Sequence, residues 1–278
     1  MNLILIIQTI IMGIVQGITE WLPISSTGHL ILFNEFMKMD VSATFLETFK
    51  VVIQFGSILA VVVLYWAKLN PFSKGNEECL KIAGVNLKKK TMTLYMKVLV
   101  GVIPAGVIGL LFDDIIESYL STVYVIAAAL IFYGIVFIVI ENKKLTPKYT
   151  DLDTLSYKTA FLIGVFQILA LIPGTSRSGS TIIGATIIGC SRFVAAEFSF
   201  FLAIPVMLGA SALKLLKSGF SFTGSEWGLL FLGTLVSFLI SVAAIKFLMG
   251  YIRKHDFKGF GYYRIILGIL LLAYFIVF

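Results

Sequence analysis

The chain has 278 residues, of which 59% are hydrophobic and only 13% are charged, and its mean hydropathy is +0.99. Soluble globular domains carry about 25% charged residues, so this composition excludes an ordinary soluble domain and indicates a single polytopic membrane domain over 1–278. The formal net charge of +7 does not require nucleic acid as a partner, because lysines in cytoplasmic loops produce the same excess. We therefore expect membrane lipids around the chain and no nucleic-acid partner.

The first apolar segment, 1–38, is interrupted near its middle. An uncharged run of nineteen residues, 1–19, overlaps the stretch QGITEWLPISSTGHL at 16–30. That stretch contains a carboxylate, an imidazole and several hydroxyls. Each half is too short for a helix that crosses a bilayer with about 20 apolar residues, so we expect a re-entrant hairpin, which enters and leaves the membrane on the same side. The segment lacks a basic n-region and an A-x-A site, which indicates that it is retained rather than cleaved.

Six further apolar stretches approach the length of a membrane-spanning helix. They lie at 43–66, 95–112, 119–140, 193–215, 227–248 and 260–278. The remaining apolar segment, 157–190, is broken by a Pro and a hydroxyl cluster as the first one is, and it predicts a second re-entrant hairpin. Irregular backbone at that depth is tolerated only where protein buries it or water reaches it. The predicted fold class is an all-α integral membrane protein with six transmembrane helices and two re-entrant helical hairpins.

Charged residues in the connecting segments predict the orientation, because basic loops of membrane proteins favour the cytoplasm. With the basic loops in the cytoplasm, the six spans alternate, both termini lie outside and the site opens toward the outer face. Lys214 and Lys217 then fall on the outer side, against the trend. The residues used are Lys68, Lys74, Lys81, Lys88, Lys89, Lys90 and Lys97 in the 67–97 loop, Lys143, Lys144, Lys148 and Lys158 in the 141–158 loop, Arg253, Lys254, Lys258 and Arg264 in the 249–264 loop, and Asp113, Asp114 and Glu117 in an acidic outer turn at 113–118.

Self-comparison of the chain finds an internal repeat with an offset of 150, in which LPISSTG at 22–28 aligns with IPGTSRS at 172–178. The matched positions are Pro23 with Pro173, Ser26 with Ser176 and Glu47 with Glu197, while GIVQ at 13–16 resembles GVFQ at 164–167 with one residue of slippage.

The repeat predicts an inverted arrangement. Each half, about 1–140 and about 157–278, holds one hairpin and three spans. Because three is odd, the second half is inserted upside down relative to the first, as in many transporters whose broken helices meet at a central site. We therefore expect the hairpin tips, 23–29 and 173–179, to face each other inside the membrane.

The two tips combine helix breaks with groups suited to an anion. Each Pro or Gly ends one helix and the hydroxyls suit the start of the next, whose free N–H groups and dipole favour a phosphate. Arg177 adds a planar, permanently charged fork, Glu20 and His29 are acid–base groups, and Ser26 is a candidate nucleophile. Ionisable groups inside a membrane are costly and usually functional.

Structural roles compete with this interpretation at several positions. Ser25 and Thr175 are equally well explained as helix caps, and His29 alone is more often an ordinary helix-terminus histidine. Gln16 lies on the same helix face as Glu20, where packing is as good an explanation as binding. We expect Glu47 and Glu197 to pair with the hairpins or with Lys50. Cys79 and Cys190 lie in a polar loop and in an apolar run, so neither a disulfide nor a metal site is expected.

The motifs QGITEWLPISSTGH and PGTSRSG, with FKVVIQFGSILAVVV at 49–63, resemble the undecaprenyl-pyrophosphate phosphatases of the bacitracin-resistance type over essentially the whole chain. The family's (Glu/Gln)-x-x-x-Glu motif falls on Gln16 and Glu20, and its Pro-Gly-x-x-Arg-Ser-x motif falls on Pro173 to Gly179. The resemblance implies an enzyme of the bacterial plasma membrane that converts the C55 polyprenyl diphosphate to the monophosphate and inorganic phosphate. That reaction recycles the lipid carrier for peptidoglycan synthesis and gives bacitracin resistance.

The resemblance also implies a division of roles. Ser26 attacks the terminal phosphorus with Glu20 as general base, Arg177 and the tip N–H groups stabilise the transition state, and His29 protonates the leaving lipid phosphate or positions water. Schemes with His29 or water as nucleophile stay open, as do the tail-length preference and the homo-oligomeric state. The candidate catalytic residues are Ser26, Glu20, His29 and Arg177, and the candidate substrate-binding residues are Gln16, Ser25, Thr27, Gly174, Ser176, Ser178 and Thr181.

A divalent cation, Mg²⁺ or Ca²⁺, is the cofactor that the resemblance implies. Gln rather than Glu at position 16 weakens any scheme in which two carboxylates hold the metal, and the sequence contains no dedicated metal motif. The alternative function is a secondary transporter or flippase for an anionic lipid or solute, because inverted repeats also serve transport. A transporter needs no nucleophile beside its anion site, so the SSTGH stretch next to Glu20 favours the enzyme.

Overall fold

The computed structural model describes residues 2–73, 75, 77–82, 84–218 and 222–277, without the side chains of residues 34, 35, 113, 114, 117 and 218. In these residues the chain forms eleven α-helices and one two-stranded sheet. The helices are α1 (Leu3–Thr19), α2 (Ser26–Phe36), α3 (Ala43–Leu64), α4 (Trp66–Leu69), α5 (Lys89–Leu120), α6 (Val123–Asn142), α7 (Tyr157–Ile168), α8 (Arg177–Ile188), α9 (Arg192–Ser218), α10 (Gly224–Tyr251) and α11 (Lys258–Val277).

The six predicted spans are confirmed as helices. In the described part of the chain, α3, α5, α6, α9, α10 and α11 are long and apolar enough to cross a membrane. The chain is therefore a multi-pass helical membrane protein. Their length follows from apolar sequence of about 20 residues, which fills the bilayer. Pro104 in α5 and Pro205 in α9 lie inside their helices and do not end them.

The predicted 67–97 loop is wrong at both ends. The short helix α4 begins at Trp66, and α5 begins at Lys89 rather than at residue 95. Between them, β1 (Cys79–Ile82) pairs antiparallel with β2 (Val85–Lys88), because alternating apolar and polar residues flank a turn with Gly84 at positive φ. The small hairpin is the one departure from an all-α fold among the described residues.

The acidic outer turn predicted at 113–118 is also wrong, because α5 continues through it to Leu120. The stretch contains neither Gly nor Pro, so nothing local stops the helix there. The side chains of Asp113, Asp114 and Glu117 lie outside the described residues. The first clear break after α5 comes at Thr122, whose side chain accepts a hydrogen bond from the Val125 N–H and caps α6.

Both predicted helix breaks are confirmed. The chain leaves helical geometry between α1 and α2, and again after α7, where a 3₁₀ turn at Leu169–Leu171 precedes the loop to α8. Trp21, in the first break, is fully buried and packs edge-on against Phe200 of α9, with ring centroids 5.2 Å apart. The interruptions are therefore part of the packed interior, where protein rather than lipid surrounds the irregular backbone.

Glycines allow the helices around these breaks to approach closely. α1 crosses α10 where Gly13 meets Gly233, and α7 crosses α5 where Gly164 meets Gly101. A Cβ atom added at Gly164 would overlap the carbonyl oxygen of Gly101. Small residues at such crossings are typical of helix packing in membranes.

Candidate active site

Two helix N-termini converge at the site. Ser26 is the first residue of α2 and Arg177 is the first residue of α8. The residues before them, Ser25 and Ser176, share a left-handed backbone with φ of 73° and 74°, and each caps its helix by accepting an N–H bond, from Gly28 at 3.4 Å and Gly179 at 3.2 Å. The next backbone N–H groups of each helix have no intrahelical acceptor, which favours an anion between the tips.

The caps of the two helices correspond with a spacing that differs by one residue from the predicted repeat. Ser176 caps α8 as Ser25 caps α2, one residue beyond the offset of 150 that pairs Ser26 with Ser176. Ser26 and Arg177 each follow the capping serine as the first residue of the helix. The GIVQ and GVFQ segments already carry this extra residue, which was the signal for this spacing. The left-handed conformation is costly for a residue with a side chain, and at these two positions it precedes the side chains of Ser26 and Arg177, which both contact Glu20.

Glu20 joins the two tips. One carboxylate oxygen, Oε2, accepts hydrogen bonds from Gln16 Nε2 at 2.9 Å and from Ser26 Oγ at 3.2 Å. The other oxygen, Oε1, accepts from Arg177 Nη2 at 3.2 Å. Glu20 is only 7% exposed, so the guanidinium offsets a carboxylate charge that would be costly to bury alone. The geometry thus brings a hydroxyl and a cation into direct contact with one carboxylate.

Arg177 is held from its other side by residues that the sequence did not single out. Its Nη1 donates to the carbonyl of Ser199 on α9 at 2.8 Å, and its guanidinium carbon lies 5.6 Å from the Trp21 ring centroid. Ser199 Oγ lies 2.6 Å from Thr181 Oγ1, so Thr181 supports Arg177 rather than facing a ligand. The fork is thus oriented before any substrate arrives. Trp21 was detectable as the aromatic neighbour of Glu20, whereas Ser199 carries no local signal.

Arg264 is a further missed residue, and its assignment to the 249–264 loop is wrong. It belongs to α11, is fully buried, and donates to the carbonyls of Pro23 at 3.2 Å, Gly174 at 3.0 Å and Thr175 at 2.9 Å. One guanidinium therefore fastens both tips together. A lone charge within the apolar sequence GYYRIILGILLL is the signal that could have identified it, because charges inside such segments usually have a specific partner.

A cavity of about 630 Å³ lies beside the tips, within the range of small-molecule sites. Its polar end is lined by Glu20, Ser26, Thr27, Gly174, Ser176 and Arg177. The rest of its wall is mainly apolar and comes from α5, α9 and the end of α7, including Ala105, Gly106, Leu110, Leu171, Val206 and Met207. This combination suits a ligand with a polar, anionic head and a hydrocarbon tail.

The other candidate site residues lie behind this wall. Gln16 contacts Glu20 from within α1, and Ser178 donates to the Glu20 carbonyl at 3.2 Å. His29 is not part of the cavity lining: its Nδ1 lies 2.7 Å from the Ser25 carbonyl and its Nε2 lies 2.6 Å from the Tyr263 hydroxyl. Because a carbonyl only accepts, Nδ1 carries the proton, and in the neutral ring Nε2 accepts from Tyr263. The histidine holds the strained Ser25 segment in place.

Glu47 and Glu197 pair away from the hairpins, so that expectation is wrong. Glu47 accepts from Lys214 at 2.8 Å, and Glu197 accepts from Lys68 at 2.6 Å. Glu47 lies near the start of α3, and its partner Lys214 lies near the end of α9. Glu197 lies near the start of α9, and its partner Lys68 lies in α4, just after the end of α3. The pairs therefore fix the relative position of α3 and α9, and contribute no group to the cavity.

The fold and the site together define a class: a polytopic helical membrane protein in which two interrupted segments hold a serine, a glutamate and an arginine at the polar end of a mainly apolar cavity. The chain belongs to the bacitracin resistance protein BacA family, whose model matches residues 9–270. It is 60% identical to undecaprenyl-diphosphatase 1 of Clostridioides difficile strain 630, over 99% of this chain and 97% of that protein. It is 57% identical to the undecaprenyl-diphosphatase of Desulfitobacterium hafniense, over 99% and 98% of the two chains, and 55% identical to that of Acetivibrio thermocellus, over 98% of both.

Proposed function

We propose that this chain hydrolyses undecaprenyl diphosphate to the monophosphate and inorganic phosphate, recycling the lipid carrier of peptidoglycan synthesis. The observation that carries the proposal is Glu20, which holds the Ser26 hydroxyl and the Arg177 guanidinium at one end of a cavity whose other walls are apolar. The names of the curated relatives support the same reaction.

Ser26 is the nucleophile of the proposed reaction. Its Oγ forms a bond to the terminal phosphorus as Glu20 Oε2 receives its proton, the bond to the oxygen of the lipid monophosphate breaks, and Glu20 passes the proton to that leaving oxygen. Water then hydrolyses the phosphoserine: Glu20, ionised again, takes a proton from the attacking water and returns it to Ser26 Oγ as the bond between Oγ and phosphorus breaks. Arg177 and the free N–H groups of α2 and α8 stabilise the charge on the non-bridging oxygens. His29, engaged at both ring nitrogens, positions the Ser25–Ser26 segment rather than reacting.

The architecture of this site is an inverted repeat built on two re-entrant hairpins. Matched packing supports it: α1 crosses α10 through Gly13 and Gly233 as α7 crosses α5 through Gly164 and Gly101. α6 and α11 cross each other at Gly134 and Gly261, where a Cβ added to either glycine would lie within 2.8 Å of the carbonyl oxygen of the other. The α1–α10 and α7–α5 crossings correspond to each other in the two halves, and the α6–α11 crossing joins two corresponding helices. A pseudo-two-fold axis produces both kinds of contact.

The protein lies in the bacterial plasma membrane with its basic connecting segments in the cytoplasm and its cavity open toward the outer face. The lysines near Cys79 and in 141–158 support that orientation. The lipid tail leaves the cavity sideways between α5 and α9, whose apolar residues line it.

The described residues form no protein cage for a divalent cation, which would be held through the phosphates of the substrate. Among the described residues, no three His, Cys, Asp or Glu side chains are grouped as metal ligands. Glu20 is already engaged by Arg177, Ser26 and Gln16. Mg²⁺ is commonly held through substrate phosphates with few protein ligands, so its contribution is to neutralise phosphate charge, and the residues present do not fit a resident metal site.

The deciding experiment is phosphate release from undecaprenyl diphosphate by purified protein in detergent, where transport across a membrane is impossible. We expect hydrolysis by the wild type, and a kcat lower by about 10³-fold or more in Ser26→Ala, because losing a nucleophile commonly costs several orders of magnitude. Ser118→Ala, at an exposed serine of α5, is the control. An inactive wild type that still transports anionic lipid in vesicles overturns the enzyme, and a Ser26→Ala variant with more than a few per cent of activity overturns Ser26 as nucleophile.

A further inference from the structure

Gln167 is a buried amide that the proposed reaction does not use. It lies near the end of α7, is only 2% exposed and lines the same cavity as Ser26 and Arg177. Neither its Nε2 nor its Oε1 has a hydrogen-bond partner among the described residues. Most buried polar side-chain atoms in proteins are paired, and an unpaired one costs stability. An amide left in this state beside a cavity points to a partner that the ligand supplies.

Comparison with Gln16 explains why Gln167 is left unpaired. The two glutamines end the matched segments GIVQ and GVFQ, after glycines that cross a neighbouring helix in the same way. Gln16 donates to the carboxylate of Glu20, four residues further along. Four residues after Gln167 stands Leu171, which has no polar group. The second half of the chain therefore keeps the amide and lacks the carboxylate that would engage it.

The position of Gln167 indicates which part of the substrate it meets. Along the chain, the lining residues Leu171, Pro173 and Gly174 follow Gln167 and lead to Arg177 at the polar end. The helix that carries Gln167, α7, packs on α5 at Gly164 and Gly101, and apolar and glycine residues of α5, among them Ala105 and Gly109, line the same cavity. The chain therefore places Gln167 beside both the polar end, which suits the terminal phosphate, and the apolar wall, which suits the lipid tail. In a lipid diphosphate, the phosphate attached to the lipid occupies that intermediate place.

We propose that Gln167 binds the lipid-side phosphate of the diphosphate, donating from Nε2 to a non-bridging oxygen. The inference rests on the proposed phosphatase function. Because this phosphate stays on the lipid after hydrolysis, Gln167 contributes to the binding of both the diphosphate substrate and the monophosphate product. It contributes nothing to the binding of free inorganic phosphate, which Arg177 and the helix N-termini hold.

The test is Gln167→Met, which keeps the size of the side chain and removes both unpaired polar atoms. We expect the melting temperature in detergent to be unchanged or higher, while the KM for undecaprenyl diphosphate rises about tenfold or more, as for one hydrogen bond to a charged group. The inhibition constant of farnesyl monophosphate, used as a product probe, should rise by a similar factor. The inhibition constant of inorganic phosphate should change by less than about twofold.

Gln8→Met is the matched control, since Gln8 is an α1 amide that donates to the Met37 and Lys38 carbonyls outside the cavity. Gln167→Glu keeps the size and adds a charge that repels phosphate, so it should raise both lipid constants at least as far as Gln167→Met, and it serves if the Met variant does not fold. An active wild type whose lipid constants are unchanged in both Gln167 variants overturns the inference and leaves the enzyme standing. An inactive wild type overturns the proposed phosphatase function instead. The binding of farnesyl monophosphate to the wild type and to the Gln167 variants, measured by thermal shift, then still tests the role of Gln167.

Discussion

Arg177 shows how the individual residues of this site are prepared for a phosphate. Its two terminal nitrogens are engaged, Nη2 by Glu20 and Nη1 by Ser199, and its Nε has no partner among the described residues. Arginine offers five donors in a fixed plane, so the side chain can remain anchored on one edge while a further donor meets a ligand. Lysine carries the same charge on one nitrogen at the end of a flexible stem and cannot reproduce this geometry.

We therefore expect Arg177→Lys to lower kcat/KM for undecaprenyl diphosphate by roughly 10²-fold or more, about 3 kcal/mol of transition-state stabilisation. Arg177→Ala should be worse, because Glu20 then keeps no cation beside it. Steady-state kinetics at matched expression and thermal stability measure both. The control is Arg192→Lys, since Arg192 pairs with Glu141 away from the cavity. A kcat/KM of Arg177→Lys within about threefold of the wild-type value, or ~0.7 kcal/mol, would show that Arg177 does not bind the phosphate.

The sequence predicts residues of the site only where a polar side chain stands out against an apolar segment. Glu20, Ser26 and Arg177 stand next to apolar helices, and burying such groups is costly without a purpose. Ser199 and Tyr263 reach the site from α9 and α11, through contacts between positions far apart in the chain. A serine or tyrosine in a span has no local feature that distinguishes a site contact from ordinary packing, so these two could not be predicted.

At the scale of the helices, the site depends on close crossings that hold the interrupted segments in register. α7 carries Gln167 and leads into the second tip, and it rests on α5 through Gly164. In membranes the gain from helix association comes largely from close packing, since lipid is as apolar as the helix surface. A side chain at this crossing separates the two helices and shifts everything that α7 positions.

We expect Gly164→Ala to destabilise the protein by about 1–3 kcal/mol, as overpacking of a tight contact does, and to lower phosphatase activity because the second tip moves. Thermal unfolding in detergent and the phosphate-release assay measure the two effects. Gly250→Ala is the control, since Gly250 also lies in a long helix, α10, and a Cβ added there meets nothing within 4 Å. Equal melting temperatures for the Gly164 and Gly250 variants would contradict the packing argument.

The helices themselves were largely predictable, and their ends were not. Length and hydropathy identify all six spans, because a bilayer imposes both on the sequence. The charged stretch at 113–118 predicts a turn, whereas α5 continues through it to Leu120. Charge alone does not break the hydrogen bonding along a helix. The early start of α5 and the β1–β2 hairpin lie in a polar segment, where the membrane imposes no pattern.

At the scale of the whole molecule, the charge distribution and the cavity fit one orientation. Lys214 and Lys217 looked like exceptions to the positive-inside trend. Lys214 pairs with Glu47, and Lys217 lines the cavity whose other end holds Arg177. Both lysines thus have local reasons for their positions. The charge of Lys217, at the cavity wall, favours the entry of an anionic lipid diphosphate.

The two native cysteines offer a test of this orientation. Cys79 lies in β1, within the lysine-rich segment that we place in the cytoplasm, while Cys190 is 3% exposed and burial raises its pKa to about 12. A thiol with that pKa stays protonated near neutral pH, and thiolate is the reactive form, so only Cys79 should react in the folded protein. We expect a membrane-impermeant maleimide to label Cys79 in inside-out vesicles and not in intact cells, with Cys79→Ser abolishing the signal and Cys190→Ser leaving it.

In the Cys79→Ser background, Tyr119→Cys, at an exposed position near the end of α5, should be labelled in intact cells. Labelling of both positions from the same side would contradict the inverted repeat, because a single crossing by α5 separates them.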